Sequence, residues 1–499
     1  MKLLTLRELF PLLACLTLLV PTSGYSRDSL AYVKLHYFLE IAEDLFKKAE
    51  IPGAGMAIVY NGEIMHTGGF GYLNVEQSRP VTDSTLFIIG STTKAFTGLA
   101  AAKMVEKGLL DWKRPIIHYL PEFTLSEPYV AQHINLEDLF THMSGLAAKD
   151  ELWLGKNISR EAVYQQTATL PFAHSFRSSW GYNNHAYVII GKVIETVAGK
   201  SWEEIIQEEI LVPLKMNNTQ LTHADFLQNA DHVTGYFGDG KTVKPHINTD
   251  NIAPAGGISS TPKDMAKWIQ MLANSGQGQD KPLLTKDAYD YLTTPKRMSF
   301  TDTCSVRYYS IGWGGSMTAG DRTLRHNGAM AGNNARVSVM PDDGFGIFIM
   351  TNQRSDYKDI LTDYGESIFV HGDFQRDTKR EAKLINLNRF FQFQNKLLDF
   401  GIEEARAYHA TLAYKDFEAN MIALGQSLLT AGYSPMALFV FELTAADHPN
   451  SYLAHYHYGR ALALNKEKTK AVAAFKKALA INPAAETVKE ALKQLLSER

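Results

Sequence analysis

The chain has 499 residues, of which 45% are hydrophobic and 21% charged, the proportions of an ordinary folded protein rather than a disordered or membrane-embedded one. Its 50 basic and 53 acidic side chains leave a formal charge of -3, and no long basic run occurs, so nucleic acid is not an expected partner. The length excludes a single ordinary core, and the 16 His and 2 Cys form neither a His-Glu-x-x-His nor a Cys-x-x-Cys pattern, so no metal and no organic cofactor is called for.

Lys2 and Arg7 precede an apolar run from Pro11 to Val20, and Thr22, Ser23 and Gly24 follow it, which is the layout of a secretory signal peptide over residues 1–26. The run is short for a bilayer span, and no later segment reaches about 18 uninterrupted apolar residues. An exported protein, periplasmic or secreted and without a transmembrane segment in its mature form, is therefore expected. Leu12-Leu13-Ala14-Cys15 faintly resembles a lipoprotein processing box, but the apolar run continues past the cysteine, so ordinary cleavage near Gly24 or Ser26 is the expectation. Cleavage leaves Cys304 as the one cysteine and rules out an internal disulfide.

Residues 30–370 mix strand and helix signals. Asn61-Gly62 predicts a tight hairpin between strands at 57–60 and 64–66, and Pro341-Asp342-Asp343-Gly344 a second between 335–340 and 346–351. Helical stretches between them include 99–107, 184–197 and 263–273. Strands at both ends with helices between them predict an α+β domain: an antiparallel sheet built from the two ends of the segment, flanked by helices and with a helical subdomain beside it.

Three Ser-x-x-Lys sequences lie in this region, and context separates them. Ser91-Thr92-Thr93-Lys94 follows an apolar run and opens a stretch of helix formers closed by Gly108, which puts Ser91 and Lys94 on one face of a first helical turn. In Ser260-Thr261-Pro262-Lys263 the threonine reads as a helix N-cap and the proline as the first helical residue, a sufficient structural role. Ser355-Asp356-Tyr357-Lys358 reads as a solvated helix start after an apolar strand. A serine hydroxyl is a weak nucleophile until a base takes its proton, and Lys94 can serve if burial keeps its amine neutral. Tyr182 in Tyr182-Asn183-Asn184 offers a second route, as a phenolate beside the lysine cation, and the sequence does not choose between them. His326-Asn327-Gly328 follows as a third active-site wall.

The last hundred residues differ. Gly425, Ala437, Phe441 and Pro449 recur as Gly459, Ala471, Phe475 and Pro483, a spacing of 34 residues at every position. That period and the small residues match the tetratricopeptide pattern, so 418–499 is expected to hold two such repeats plus a capping helix, joined through a helical linker at 371–417. A protein partner on this module is then a possibility.

The three motifs, with Thr141-His142-Met143-Ser144-Gly145-Leu146 and Pro254-Ala255-Gly256-Gly257, resemble as a set the class C β-lactamase and penicillin-binding-protein-related serine hydrolases, over about residues 30–370. The resemblance implies that family's antiparallel sheet with a helical subdomain, Ser91 as the acylated nucleophile, and Lys94 and Tyr182 as the base system. It also implies Asn184, His326 and Gly328 at the substrate, and an oxyanion hole from the backbone N–H groups of Ser91 and Ala329. The loop 141–146 is given no catalytic role. One departure stands out: class C β-lactamases usually carry Lys-Thr-Gly where this chain has His326-Asn327-Gly328, and an unperturbed imidazole (pKa about 6.5) is mostly neutral at pH 7. The expected function is hydrolysis of an ester or a D-amino-acid-containing amide or peptide through an acyl-serine, as in an esterase or carboxypeptidase. The alternatives are a β-lactamase, and a protein-binding or ligand-sensing protein whose hydrolase domain is weak. Trp180, Trp313 and Arg336 are further candidates for the pocket wall.

Overall fold

The computed structural model describes residues 28–497 apart from 237–242, 279, 302–304, 319 and 413–416. The expected leader, Cys15 and Cys304 lie outside the described residues.

Helix α1 (Asp28–Ala49) leads into strands β1 (Gly53–Tyr60) and β2 (Glu63–Asn74). Asn61 and Gly62 between them have φ of 53° and 75°, the left-handed pair that a two-residue hairpin of this twist requires. The short β3 (Arg79–Pro80) covers the outer edge of β2. After β4 (Phe87–Ile88), helix α2 (Thr93–Glu106), helix α3 (Asn184–Ala198), β5 (Ser259–Ser260) and helix α4 (Pro262–Ala273), the chain returns to the sheet. It does so through β6 (Arg297–Thr301), β7 (Ser305–Tyr309), β8 (Gly314–Thr318), β9 (Asp321–Met330), β10 (Asn333–Met340) and β11 (Phe345–Thr351). The nine-stranded sheet has the order β3-β2-β1-β11-β10-β9-β8-β7-β6. β1 pairs antiparallel with β11, so the first and last strands of the domain lie side by side, as expected. The two hairpin tips also meet, with the Gly62 N–H donating to the Gly344 carbonyl at 2.9 Å.

The period of two along each strand divides the core. Met56, Ile58, Ile347 and Ile349 face α1 and helix α5 (Tyr357–Gly365). Ala57, Val59, Val337, Phe348 and Met350 face α2, α4 and the helical subdomain between residues 109 and 258. There Phe96 of α2 stacks on Trp268 of α4 at 3.8 Å between ring centres. Nearly every residue of α2 is buried, so it is a central pin rather than a surface helix. The polar groups it carries inward must then find partners inside. Thr97 does so by donating to the Pro254 carbonyl at 2.7 Å and accepting from the Trp202 indole at 3.1 Å.

The other two Ser-x-x-Lys sequences have structural surroundings. Thr261 caps α4, accepting from the Asp264 N–H at 3.2 Å, as its sequence predicts. The solvated surface expected at 355–358 is not there: Ser355, Tyr357 and Lys358 are buried where α5 packs on the sheet, and Lys358 is paired with Asp359. An apolar strand that runs straight into a packed helix carries the polar residues between them into the interior.

Beyond Val370 the chain is helical: α6 (Thr378–Asn395), α7 (Ile402–Thr411), α8 (Glu418–Thr430), α9 (Ser434–Asp447), α10 (Tyr452–Leu464), α11 (Lys468–Ile481) and α12 (Glu486–Ser497). Phe393, Leu397, Ala405, Met421, Phe439 and Phe441 share one core, so α6 and α7 are packed into the same unit as the helices that follow. Arg376 fastens this region to the first domain by ion pairs to Asp44 (2.6 Å) and Glu381 (2.7 Å). Among the described residues no helix is long and apolar enough to cross a membrane.

Candidate active site

Ser91 lies in a single 3-10 turn (Gly90–Thr92) that runs directly into α2, so the helix start holds Ser91 and Lys94 on one side. Gly90 has φ of 52°, and a Cβ there would stand 2.7 Å from the Ala329 nitrogen. At Gly328 a Cβ would come within 1.9 Å of the Ile89 carbonyl oxygen and 3.2 Å of the Ser91 nitrogen. These two glycines let β9 run against the serine turn with backbone touching backbone. Ala329, the next residue, is exposed at the end of that contact.

Lys94 is fully buried. Its Nζ donates to Asn184 Oδ1 at 2.8 Å and to the Ala255 carbonyl at 2.8 Å, and lies 3.3 Å from Ser91 Oγ. Burial pushes its ammonium well below the ordinary lysine range, and the charge of Asp150 opposes that shift. Asn184 is the first residue of α3, whose N-cap Asn183 accepts from the Ala186 N–H at 3.0 Å. The Tyr182 ring lies 4.7 Å from Lys94 Nζ. Burial raises the Tyr182 phenol above its usual value, and the nearby Ser91 hydroxyl offsets part of the rise.

His142 braces this second motif from the loop at 141–146. Its Nδ1 accepts the Asn183 N–H at 3.2 Å, and its ring stands 4.4 Å from that of Tyr182. With φ of 60° and no exposure, His142 is held by its surroundings in a left-handed conformation. Burial keeps it neutral.

His326 is buried on the β9 face that carries Gly328. Its Nδ1–H donates to the Asn327 carbonyl at 2.7 Å, which leaves Nε2 to accept from the Tyr309 hydroxyl at 2.9 Å. Burial, reinforced by the nearby Lys94, pushes its pKa down to about 3. Both ring nitrogens are thus engaged within the protein, and the imidazole is a neutral edge of the site. The Tyr187 hydroxyl nearby donates to the Phe140 carbonyl at 3.2 Å.

The remaining pocket candidates part company. Trp180 is 40% exposed, with its ring 6.2 Å from Tyr182 and 6.1 Å from Tyr309, so it stands at the mouth of the site. Trp313 is buried in the core. Arg336 lies on the opposite face of the sheet, ion-paired with Asp359 of α5. Sequence reasoning passed over Asp150, whose carboxylate oxygens each accept from Asn184 Nδ2 at 3.2 Å. It also passed over Tyr309. Neither belongs to a motif, and only the folded chain brings them to the serine.

The Beta-lactamase family matches residues 38–366. Protein flp of Staphylococcus aureus (strain MW2) is 26% identical over 334 residues, covering 65% of this chain and 64% of that protein. Unguisins hydrolase ungD' of Aspergillus campestris (strain IBT 28561) is 26% identical over 335 residues, covering 63% of this chain and 61% of that protein. The chain thus spans less than two thirds of the length of these relatives. The octameric penicillin-binding protein homologue from Pyrococcus abyssi superposes with a TM-score of 0.61 at 23% identity, over 73% of this chain and 82% of that one, a likeness of fold.

Proposed function

The chain belongs to the Beta-lactamase family, serine hydrolases of the β-lactamase and transpeptidase fold, and on that premise we propose that it hydrolyses an ester or a D-amino-acid-containing amide through an acyl-Ser91 intermediate. The observation that carries this reading is the hydrogen count at Lys94. A neutral amine has two hydrogens and one lone pair. Its contacts include two obligate acceptors, Asn184 Oδ1 as oriented by Asp150 and the Ala255 carbonyl, and the Ser91 hydroxyl is the third. In the neutral form that burial favours, those two acceptors take both hydrogens and the lone pair is left for the serine proton, which assigns Lys94 as the general base.

In this mechanism the Ser91 proton passes to Lys94 as Oγ attacks the acyl carbon, forming a tetrahedral oxyanion. The N–H groups of Ser91 and Ala329 receive that oxyanion, a role supported by the close backbone contact across Gly90 and Gly328. Collapse breaks the bond to the alcohol or amine, and the proton on Lys94 returns to that leaving group. Tyr182, kept protonated by burial, relays this proton, giving its own to the leaving group as it takes the one from Lys94, rather than acting as a phenolate base. Water repeats the sequence to release the acid and restore Ser91. Asn184 holds Lys94 and presents its amide to the acyl chain, while His326 and Gly328 form the neutral wall opposite.

The neutral His326 weighs against β-lactamase activity, since it offers no cation to a β-lactam carboxylate. The test is turnover of p-nitrophenyl esters, D-alanine p-nitroanilide and nitrocefin by the wild type and Ser91→Ala. Esters or the anilide should be cleaved well above nitrocefin, with all activity lost in the variant; nitrocefin as the best substrate would reverse the assignment.

We further infer that α8–α9 and α10–α11 are two tetratricopeptide-like repeats capped by α12, and that the protein is exported. A Cβ at Gly425 would stand 2.4 Å from the Phe441 ring, and one at the equivalent Gly459 would stand 2.7 Å from the Phe475 ring. The same small-against-aromatic contact 34 residues apart supports the repeat reading and a protein partner on this module. Fractionation of the source cells tests export through the N-terminus of the recovered chain.

A further inference from the structure

The polar groups around Ser91 do not balance in charge. Lys94, Tyr182, Tyr187, Tyr309, His142 and His326 are all sheltered from water, which favours the uncharged form of each. Asp150 is the exception. It is partly exposed, and the donors that hold it are neutral: the Trp153 indole N–H at 2.9 Å to Oδ1, and Asn184 Nδ2 at 3.2 Å to each oxygen. Among the described residues it has no ion-pair partner, and its neighbour Lys149 is paired instead with Glu151 at 3.3 Å.

A carboxylate offers about four lone-pair positions. Trp153 and Asn184 account for three contacts and fix the plane of the group without neutralising it, so acceptor capacity and charge both remain on its exposed side. Orienting Asn184 needs only an acceptor; a neutral oxygen would do it equally well. The charge is therefore surplus to the structural role, and it sits one side chain from the Lys94 amine.

We propose that Asp150 is the specificity-determining residue of this site, and that its carboxylate receives a primary ammonium on the acyl part of the substrate. The proposal rests on the acyl-Ser91 reading and narrows it to amino-acyl esters or amides with a free amino group. It carries a mechanistic consequence. Asp150 holds Lys94 toward its charged form, so an ammonium docked on Asp150 offsets that pull and favours the neutral amine that the serine needs. His185, which also faces Asp150, is buried and favoured neutral, so it does not compete for the carboxylate.

The test uses the full chain and three p-nitrophenyl esters of matched shape: D-alanyl with its ammonium, isobutyryl as the neutral isostere, and a methylmalonyl half-ester with a carboxylate. Each kcat/KM is divided by the ester's spontaneous hydrolysis rate, because an ammonium activates its own ester. The corrected ratio of ammonium to neutral substrate should be about tenfold or more in the wild type and should shrink as salt is raised. In Asp150→Asn it should fall to near one, and Asp150→Glu should restore part of it. A wild-type ratio of one or less, or a ratio unchanged in Asp150→Asn, overturns the proposal while leaving the acyl-serine reading intact. The wild-type ratio and its salt dependence decide the matter even if a variant does not fold. Failure to turn over any ester, with Ser91 unlabelled by a fluorophosphonate, overturns both.

Discussion

Lys94 Nζ and Asn184 Oδ1 stand 2.8 Å apart across 90 residues of sequence, one buried in the first turn of α2 and the other at the start of α3. The contact joins two helices whose axes are set by the core, so the amine is aimed by packing and not by its own flexible chain. Because activity needs the neutral amine, kcat/KM on a neutral ester should rise with pH and level off well below the ~10.4 of a free lysine. Lys94→Arg, which introduces a permanent cation with no accessible neutral form, should lower kcat/KM by about 10³-fold or more and, because it buries that charge in a full site, should lower the thermal midpoint as well. Steady-state kinetics across pH, with a melting curve for the variant, check both.

Gly328→Ala should be severe for a different reason. The added methyl would occupy the 1.9 Å gap to the Ile89 carbonyl, so β9 must retreat from the serine turn. Overpacking of this kind destabilises by about 1–3 kcal/mol. Retreat also widens the space between the Ser91 and Ala329 nitrogens, and losing one oxyanion donor typically lowers kcat about 10²–10³-fold. Denaturant unfolding and ester hydrolysis should report these two losses together.

His326 sets the acid side of the protein's behaviour. With its folded value near 3 it is neutral throughout the range from pH 5.5 to 8, so turnover of an anionic substrate should show no gain toward pH 5.5 from this group. Its stability linkage has a fixed sign. The folded pKa lies below the ~6.5 of the unfolded chain, so the unfolded state takes up the proton first. Stability is then complete above about pH 6.5 and is lost as the pH falls toward 3, and the buried neutral His142 acts in the same direction. Urea midpoints measured at intervals between pH 7 and 4 should decline, and the decline should be shallower in His326→Gln.

Much of this was legible before the fold. Asn61-Gly62 and Pro341-Asp342-Asp343-Gly344 carry their turn geometry in residue type, so both hairpins could be read, and with them a sheet closed by the two ends of the domain. Ser91 and Lys94 could be read as neighbours because short spacing on a helix start fixes them, whereas Tyr182 entered only through its company in the set of motifs. Their surroundings could not. The His326–Tyr309 hydrogen bond depends on which strand faces meet, and periodicity of two says only that alternate residues share a face. Arg336 was a reasonable pocket candidate by type, yet its odd register from Val337 sends it to Asp359 on the far side of the sheet. Ser355 and Lys358 looked solvated because polar residues usually are, and the packing of α5 overrode that preference.

The helical module can be weakened without touching the chemistry. Gly459→Ala puts a methyl 2.7 Å from the Phe475 ring inside α10–α11, which should destabilise that module by about 1–3 kcal/mol. Hydrolysis of a small ester at 25 °C should be unchanged, because the site residues named above all lie between positions 90 and 330. Hydrogen exchange of α10–α12 beside ester kinetics separates the two effects, and a matching loss of kcat/KM would mean that the module shapes the site.

The central claim is an activated serine at position 91, and it is tested most directly by the intact mass of the protein after exposure to a fluorophosphonate, with Ser91→Ala treated in parallel. The account predicts one adduct on the wild type, mapping to the peptide that contains Ser91, and none on the variant. A folded wild type that takes up no probe, or an adduct that survives in Ser91→Ala, would contradict it.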